Sequence, residues 1–207
     1  MAGEAMSRGK VLAILAGAYV VFLASYLAVD ALNVGRAAHT LFIPGEARLP
    51  FVPEAEFVYA LAYLLPVLAL WKLPDAARLR RLLVAYAITL VVAYATFLLF
   101  PVRFERPAVD VRSVATWLVA LEYRLDEPYN LFPSLHVAIS WLVWLACRDQ
   151  VRRPALFLAA VIGILISTVF VKQHYIVDGF AGAALAVAAW IVGGRWVGMT
   201  QLRRGPA

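Results

Sequence analysis

Apolar residues dominate six stretches of the chain, at about residues 11–32, 57–71, 82–100, 135–147, 155–171 and 176–196, and polar residues collect between them. A helix needs roughly 20 apolar residues to cross the hydrocarbon core of a bilayer, so the pattern predicts six transmembrane helices. The second and fourth runs are short, and their flanks, residues 52–56 and the residues from Tyr129 onward, are expected to complete them. No segment joins a short apolar core to a small-residue cleavage site in the manner of a signal peptide, so the first run is expected to remain as a helix.

The longest connection, residues 101–129, has a pattern of its own. Val111, Val114, Leu118, Leu121 and Leu125 recur at intervals of three and four, with Asp110 placed to cap the start. This spacing predicts an amphipathic helix lying on the membrane surface, or one packed on the bundle. Residues 33–56 carry Pro50, Pro53 and mixed charges, and predict no particular element. The fold class expected is therefore all-α: a polytopic membrane protein with six transmembrane helices in one bundle plus an interfacial amphipathic helix, forming a single domain over residues 1–207.

Composition agrees. The chain is 64% hydrophobic and 15% charged, with a mean hydropathy of +0.80, too apolar for a soluble globule of this length. Its net charge of +6 comes from residues scattered between apolar runs, not from a basic stripe interleaved with stacking aromatics. The expected partner is thus the lipid bilayer with its anionic head groups, and not nucleic acid. Cys147, the single cysteine, lies in an apolar run and excludes a disulfide framework or a thiolate metal site. With the N-terminus inside, twelve of the 19 lysines and arginines fall on the cytoplasmic side, Lys72 and Arg204 among them. The positive-inside rule then places both termini in the cytoplasm and the connection 101–129 outside.

Two stretches carry candidate chemistry, Asn130-Leu131-Phe132-Pro133-Ser134-Leu135-His136 and Lys172-Gln173-His174-Tyr175-Ile176-Val177-Asp178. A histidine and an aspartate four residues apart share one face of a helix, so Asp178 can accept a proton from one ring nitrogen of His174 while the other is free to attack. Ionisable groups at the end of a membrane span are costly and usually functional. His136 by itself is equally a structural, hydrogen-bonded histidine, but Pro133, the Ser134 hydroxyl and the start of an apolar helix make this turn suited to an anion. Arg103 and Arg106 follow the third run. A guanidinium fork matches phosphate oxygens, although an interfacial arginine also snorkels to head groups. Lys172 reaches the same anion only if the helix begins after it. A zinc site would need a further ligand, and the third histidine, His39, lies in a distant loop; no metal is expected.

Together these motifs resemble the type 2 phosphatidic acid phosphatase superfamily, over about residues 82–190. Pro133-Ser134-Leu135-His136 is similar to that family's PSGH motif, and Ser167, His174 and Asp178 match its SRxxxxxHxxxD motif. Of the first motif, KxxxxxxRP, only Arg106 and Pro107 match, because Leu99 stands at the lysine position and Thr168 replaces the arginine of the third. Leu135 in place of glycine, with the Lys172-Gln173-His174 run, resembles more narrowly the branch that includes inositol phosphorylceramide synthases.

The resemblance implies metal- and cofactor-independent phosphoryl transfer from a membrane lipid phosphate at the outer face of the cell membrane. His174 would be the nucleophile, Asp178 its partner and His136 the acid and then base, while Arg103, Arg106, Lys172, Ser134 and the backbone N–H of Leu135 would hold the phosphate. Hydrolysis of a lipid phosphate or polyprenyl (di)phosphate is the leading expectation. Transfer of a phospho-head group to a lipid alcohol is the alternative, and a non-catalytic lipid-binding bundle leaves the histidine pair unexplained. Neither the lipid nor the oligomeric state is legible.

Overall fold

The computed structural model describes residues 7–70 and 75–203. Trp71, Lys72 and Arg204, which entered the expectations above, lie outside them. Each apolar run is helical, and the second is divided in two. α1 (Arg8–Asn33) starts at Ser7, whose hydroxyl accepts from the Lys10 N–H. The second run forms two helices, α2 (Glu56–Tyr59) and α3 (Leu61–Leu70), separated at Ala60. Asp75 caps α4 (Ala76–Leu99), and Pro154 opens α7 (Pro154–Phe170), where its missing N–H is no loss. α5 (Val114–Leu125), α6 (Leu135–Cys147) and α8 (Ile176–Arg203) complete the chain.

The molecule is all-helical among the described residues, and it is a membrane protein. Three helices, α1, α4 and α8, are long and apolar enough to cross a bilayer, whereas α6 and α7 are apolar but shorter. α6 does not extend upstream to Tyr129 as expected. Pro133 keeps Phe132 out of helical geometry, and Ser134, in extended conformation, caps the helix by accepting from the Val137 N–H.

α4, α6 and α8 pack together through small residues, Ala85, Ala138, Ala146, Ala186 and Ala189, all nearly or wholly buried. Small side chains allow the close backbone approach that replaces a hydrophobic driving force in lipid. Gly182 is the extreme case, since a Cβ there would stand 2.4 Å from the Ser134 carbonyl oxygen. α1 lies on α4, and α3 on α6 and α7.

At one end of the bundle α1 and α4 finish while α6 and α8 begin, and residues 33–56 cross this end as a strap. Asn33 donates to the Phe97 carbonyl and to Asn130, and His39 bonds through its backbone to Pro101 and Arg103. Buried Glu46 accepts from the Ile176 N–H at the start of α8, and the Val52 N–H donates to Phe170 at the end of α7. α5 lies over the same end. Its cap is Ser113, in a capping box with Thr116, not Asp110, which pairs with Arg112 instead. The apolar stripe that signalled this helix points outward at Val114, Leu121 and Leu125, and Ala115, Val119 and Glu122 face the protein. The helix thus buries two small or branched apolar side chains and one carboxylate against the protein and leaves much of its apolar stripe exposed.

Candidate active site

The end of α7 and the start of α8 form one tight turn. Lys172 takes a left-handed conformation (φ 58°), and the N–H groups of Gln173 and His174 both return to the Thr168 carbonyl, at 2.9 and 3.1 Å. Asp178, in the first turn of α8, accepts from the Tyr175 N–H at 2.9 Å with the same oxygen that faces His174 Nδ1 at 3.3 Å. The expected pair is thus present, but His174 precedes the helix and does not lie on it, because Asp178 uses its carboxylate to close the turn as well as to hold the ring. His174 is almost fully buried, and this burial pushes its pKa down to about 4. The ring is therefore neutral at physiological pH.

His136 enters from the first turn of α6. Its Nδ1 lies 3.3 Å from His174 Nε2. The two motifs are stitched together by the Ser134 N–H, which donates to the Asp178 carbonyl at 3.0 Å. The far nitrogen of His136, Nε2, meets the hydroxyls of Tyr59 and Tyr63 at 2.9 and 3.1 Å. Both hydroxyls donate to Glu122 Oε1, at 3.0 and 2.7 Å. Sequence reasoning singled out none of these three residues. The available signal was Glu122, a carboxylate on the same helical face as Ala115 and Val119.

The expected phosphate-binding groups are placed unequally. Arg106 is buried, with its guanidinium 4.7 Å from the Tyr123 ring. It bonds the Gln173 side chain beside His174 and the Asp126 carbonyl, and pairs with the Asp126 carboxylate at 3.7 Å. Three polar atoms here, Arg106 Nε, Gln173 Nε2 and Asp178 Oδ1, are buried without a partner, an arrangement that leaves hydrogen-bonding capacity unused. Arg103 is exposed, its guanidinium 5.6 Å from the Tyr129 ring. Lys172 donates to the Leu49 carbonyl at 2.8 Å, and partial burial lowers its pKa. The Ser134 hydroxyl is committed to capping α6, and the Leu135 side chain packs against Val29, Leu90, Ala93 and Phe97. Leu99 points outward and is 85% exposed, while Thr168 is fully buried with its hydroxyl on the Leu165 carbonyl. Glu122, Asp126 and His136 present possible metal-ligand atoms within 4.8 Å of one another, a mixed donor set that a search for a third histidine passes over.

The sequence of this whole region is similar to a known family. A model of the PAP2 superfamily matches residues 37–192, which include both histidine motifs and Arg106. The chain belongs to the PAP2 superfamily. No curated protein and no solved structure is a significant match to it. Membership in the PAP2 superfamily indicates activity of phosphatase or phosphotransferase type, in agreement with the residues gathered here. The match also starts well before the motif core expected at 82–190, and so takes in the strap with Glu46 and the α2–α3 region with Tyr59 and Tyr63.

Proposed function

We propose that this PAP2 superfamily member is an integral membrane lipid phosphate phosphatase that works through a phosphohistidine at His174. The observation that carries the reading is the row Asp178, His174, His136, its first two members buried, with 3.3 Å at each step. Asp178 accepts from Nδ1–H and leaves the Nε2 lone pair to attack phosphorus in line, forming the N–P bond as the bond to the leaving oxygen breaks. Asp178 then stabilises the imidazolium. His136 gives its Nδ1 proton to the leaving oxygen and, in the second half, takes one from water as the N–P bond is hydrolysed. For this, substrate phosphate must enter where the two rings now meet, a rearrangement common in ligand-free sites. Arg106 stands ready to release Asp126 and Gln173 in favour of phosphate oxygens, with Arg103, Lys172 and the Leu135 N–H as further donors.

The positive-inside distribution supports an outward-facing site with both termini in the cytoplasm, at the end of the bundle away from the N-terminus. Transfer to a lipid alcohol is the second reading, favoured by Leu135 in the Pro133-Ser134-Leu135-His136 motif. A panel of radiolabelled lipid phosphates, with and without candidate alcohols, separates the two by whether phosphate is released without an acceptor. Detergent-purified His174→Ala, eluting as the wild type does, is expected to lose all turnover and the acid-labile protein phosphate. Activity near wild type would refute the nucleophile.

A further inference from the structure

Glu122 is a buried carboxyl group for which the mechanism above has no use. It lies on α5, yet it reaches His136 on α6 through hydroxyls on α2 and α3. Each tyrosine hydroxyl has one hydrogen, and both are donated to Glu122 Oε1. Each oxygen can then only accept from His136, so His136 Nε2 carries a proton shared between Tyr59 and Tyr63. On the other side, an Asp178 carboxylate takes the Nδ1–H of His174 and leaves its Nε2 bare. The opposite nitrogen, His136 Nδ1, faces His174 Nε2 at 3.3 Å, the side from which a proton would reach a leaving oxygen.

We infer that Glu122, acting through Tyr59 and Tyr63, is the positioning residue that fixes the His136 ring and supplies the counter-charge it needs when it serves as the leaving-group acid. The inference rests on the phosphatase reading. The site becomes a relay with a carboxylate at each end: Asp178 keeps His174 a base, and Glu122 supports His136 as the acid. The other charged groups near His136 offset one another, because Asp126 is paired with Arg106 and accepts from the Tyr26 hydroxyl.

The test varies the leaving group. A long-chain alkyl phosphate expels a poor leaving group that must be protonated, whereas a nitrophenyl phosphate bearing the same chain expels a stable phenolate and needs no acid. Glu122→Gln keeps an acceptor for both hydroxyls and removes the charge. Its kcat on the alkyl phosphate should fall about 100-fold, the lower end of what general acid catalysis supplies, while on the nitrophenyl ester it should change by less than about 5-fold. The nitrophenyl activity also reports that the variant is folded. A Tyr59→Phe/Tyr63→Phe double variant should show the same split. An equal loss on both substrates in both variants, or no loss on either, would overturn the relay. If the wild type turns over neither ester, the phosphatase reading itself falls, and the relay with it.

Discussion

Gly182 ties the packing of this protein to its chemistry, and Gly182→Ala is the substitution that tests the tie. Alanine is a better helix former than glycine, so on helical propensity alone the change should stabilise α8. The tertiary contact opposes it. The new Cβ would stand 2.4 Å from the Ser134 carbonyl oxygen, a distance that real Cβ atoms hold above 3.0 Å. The obstacle is backbone at the start of α6, which cannot rotate away, so α6 and α8 must part by at least the difference, about 0.6 Å. That movement acts directly on the hydrogen bond from the Ser134 N–H to the Asp178 carbonyl, now 3.0 Å, and on the placement of His136 against His174. Misplacement on the order of 1 Å can cost about 100-fold in rate, so a loss of about 10-fold to 100-fold in kcat is expected. Overpacking of this kind also costs about 1–3 kcal/mol of stability. The assay is phosphate release by purified protein, with thermal unfolding in the same detergent. Gly198→Ala, where nothing lies within 4 Å of the added carbon, is the control and should keep its rate. Wild-type kcat in Gly182→Ala would refute the argument that the helix separation sets the site.

Asp178→Asn should lose most of its rate in the same assay, since an amide cannot stabilise the imidazolium of His174; retention would make the pair structural. Arg103→Met and Lys172→Met should each lower kcat by about 100-fold, the scale of losing one preorganised donor. Arg112→Met and Arg124→Met, at exposed positions on and before α5, should cost little, and equal behaviour of all four would sink the assignment of the cations. His174 is held at a pKa of about 4 by burial, against about 6.5 for an unperturbed histidine, so between those values the unfolded chain binds the extra proton. The contribution of His174 to stability should therefore be level above about pH 6.5 and fall as the pH drops towards 4. Unfolding temperatures across that range should flatten in His174→Gln, and an unchanged slope would contradict the burial argument. Activity should survive prolonged EDTA treatment, while loss on chelation restored by zinc would assign Glu122, Asp126 and His136 to a metal.

Much of this protein is a property of its sequence taken locally. Helices follow from runs of apolar residues, and so the cores of α1, α4, α6, α7 and α8 were legible, as was α5 from its spacing of three and four. The starts of α1, α4, α5 and α6 follow from side-chain caps, and where two caps competed, as with Asp110 and Ser113 before α5, the one in hydrogen-bonding register with the first turn prevailed. His174 and Asp178 were legible for the same reason, since four residues of chain bring them together whatever the rest of the molecule does. The other half of the site depends on distance in the fold. Glu122 and Tyr59 meet His136 only because α5 and the α2–α3 pair are laid over the start of α6, and no local spacing records that meeting. The strap of residues 33–56 is similar: Glu46 has meaning only beside the Ile176 N–H, 130 residues later in the chain. Even the stripe on α5 needed the fold for its direction, because periodicity identifies an apolar face without saying whether lipid or protein covers it. Sequence thus determined the helices and the His174–Asp178 pair, whose members are chain neighbours, while tertiary structure decided the surroundings of His136, whose partners are brought together only by packing.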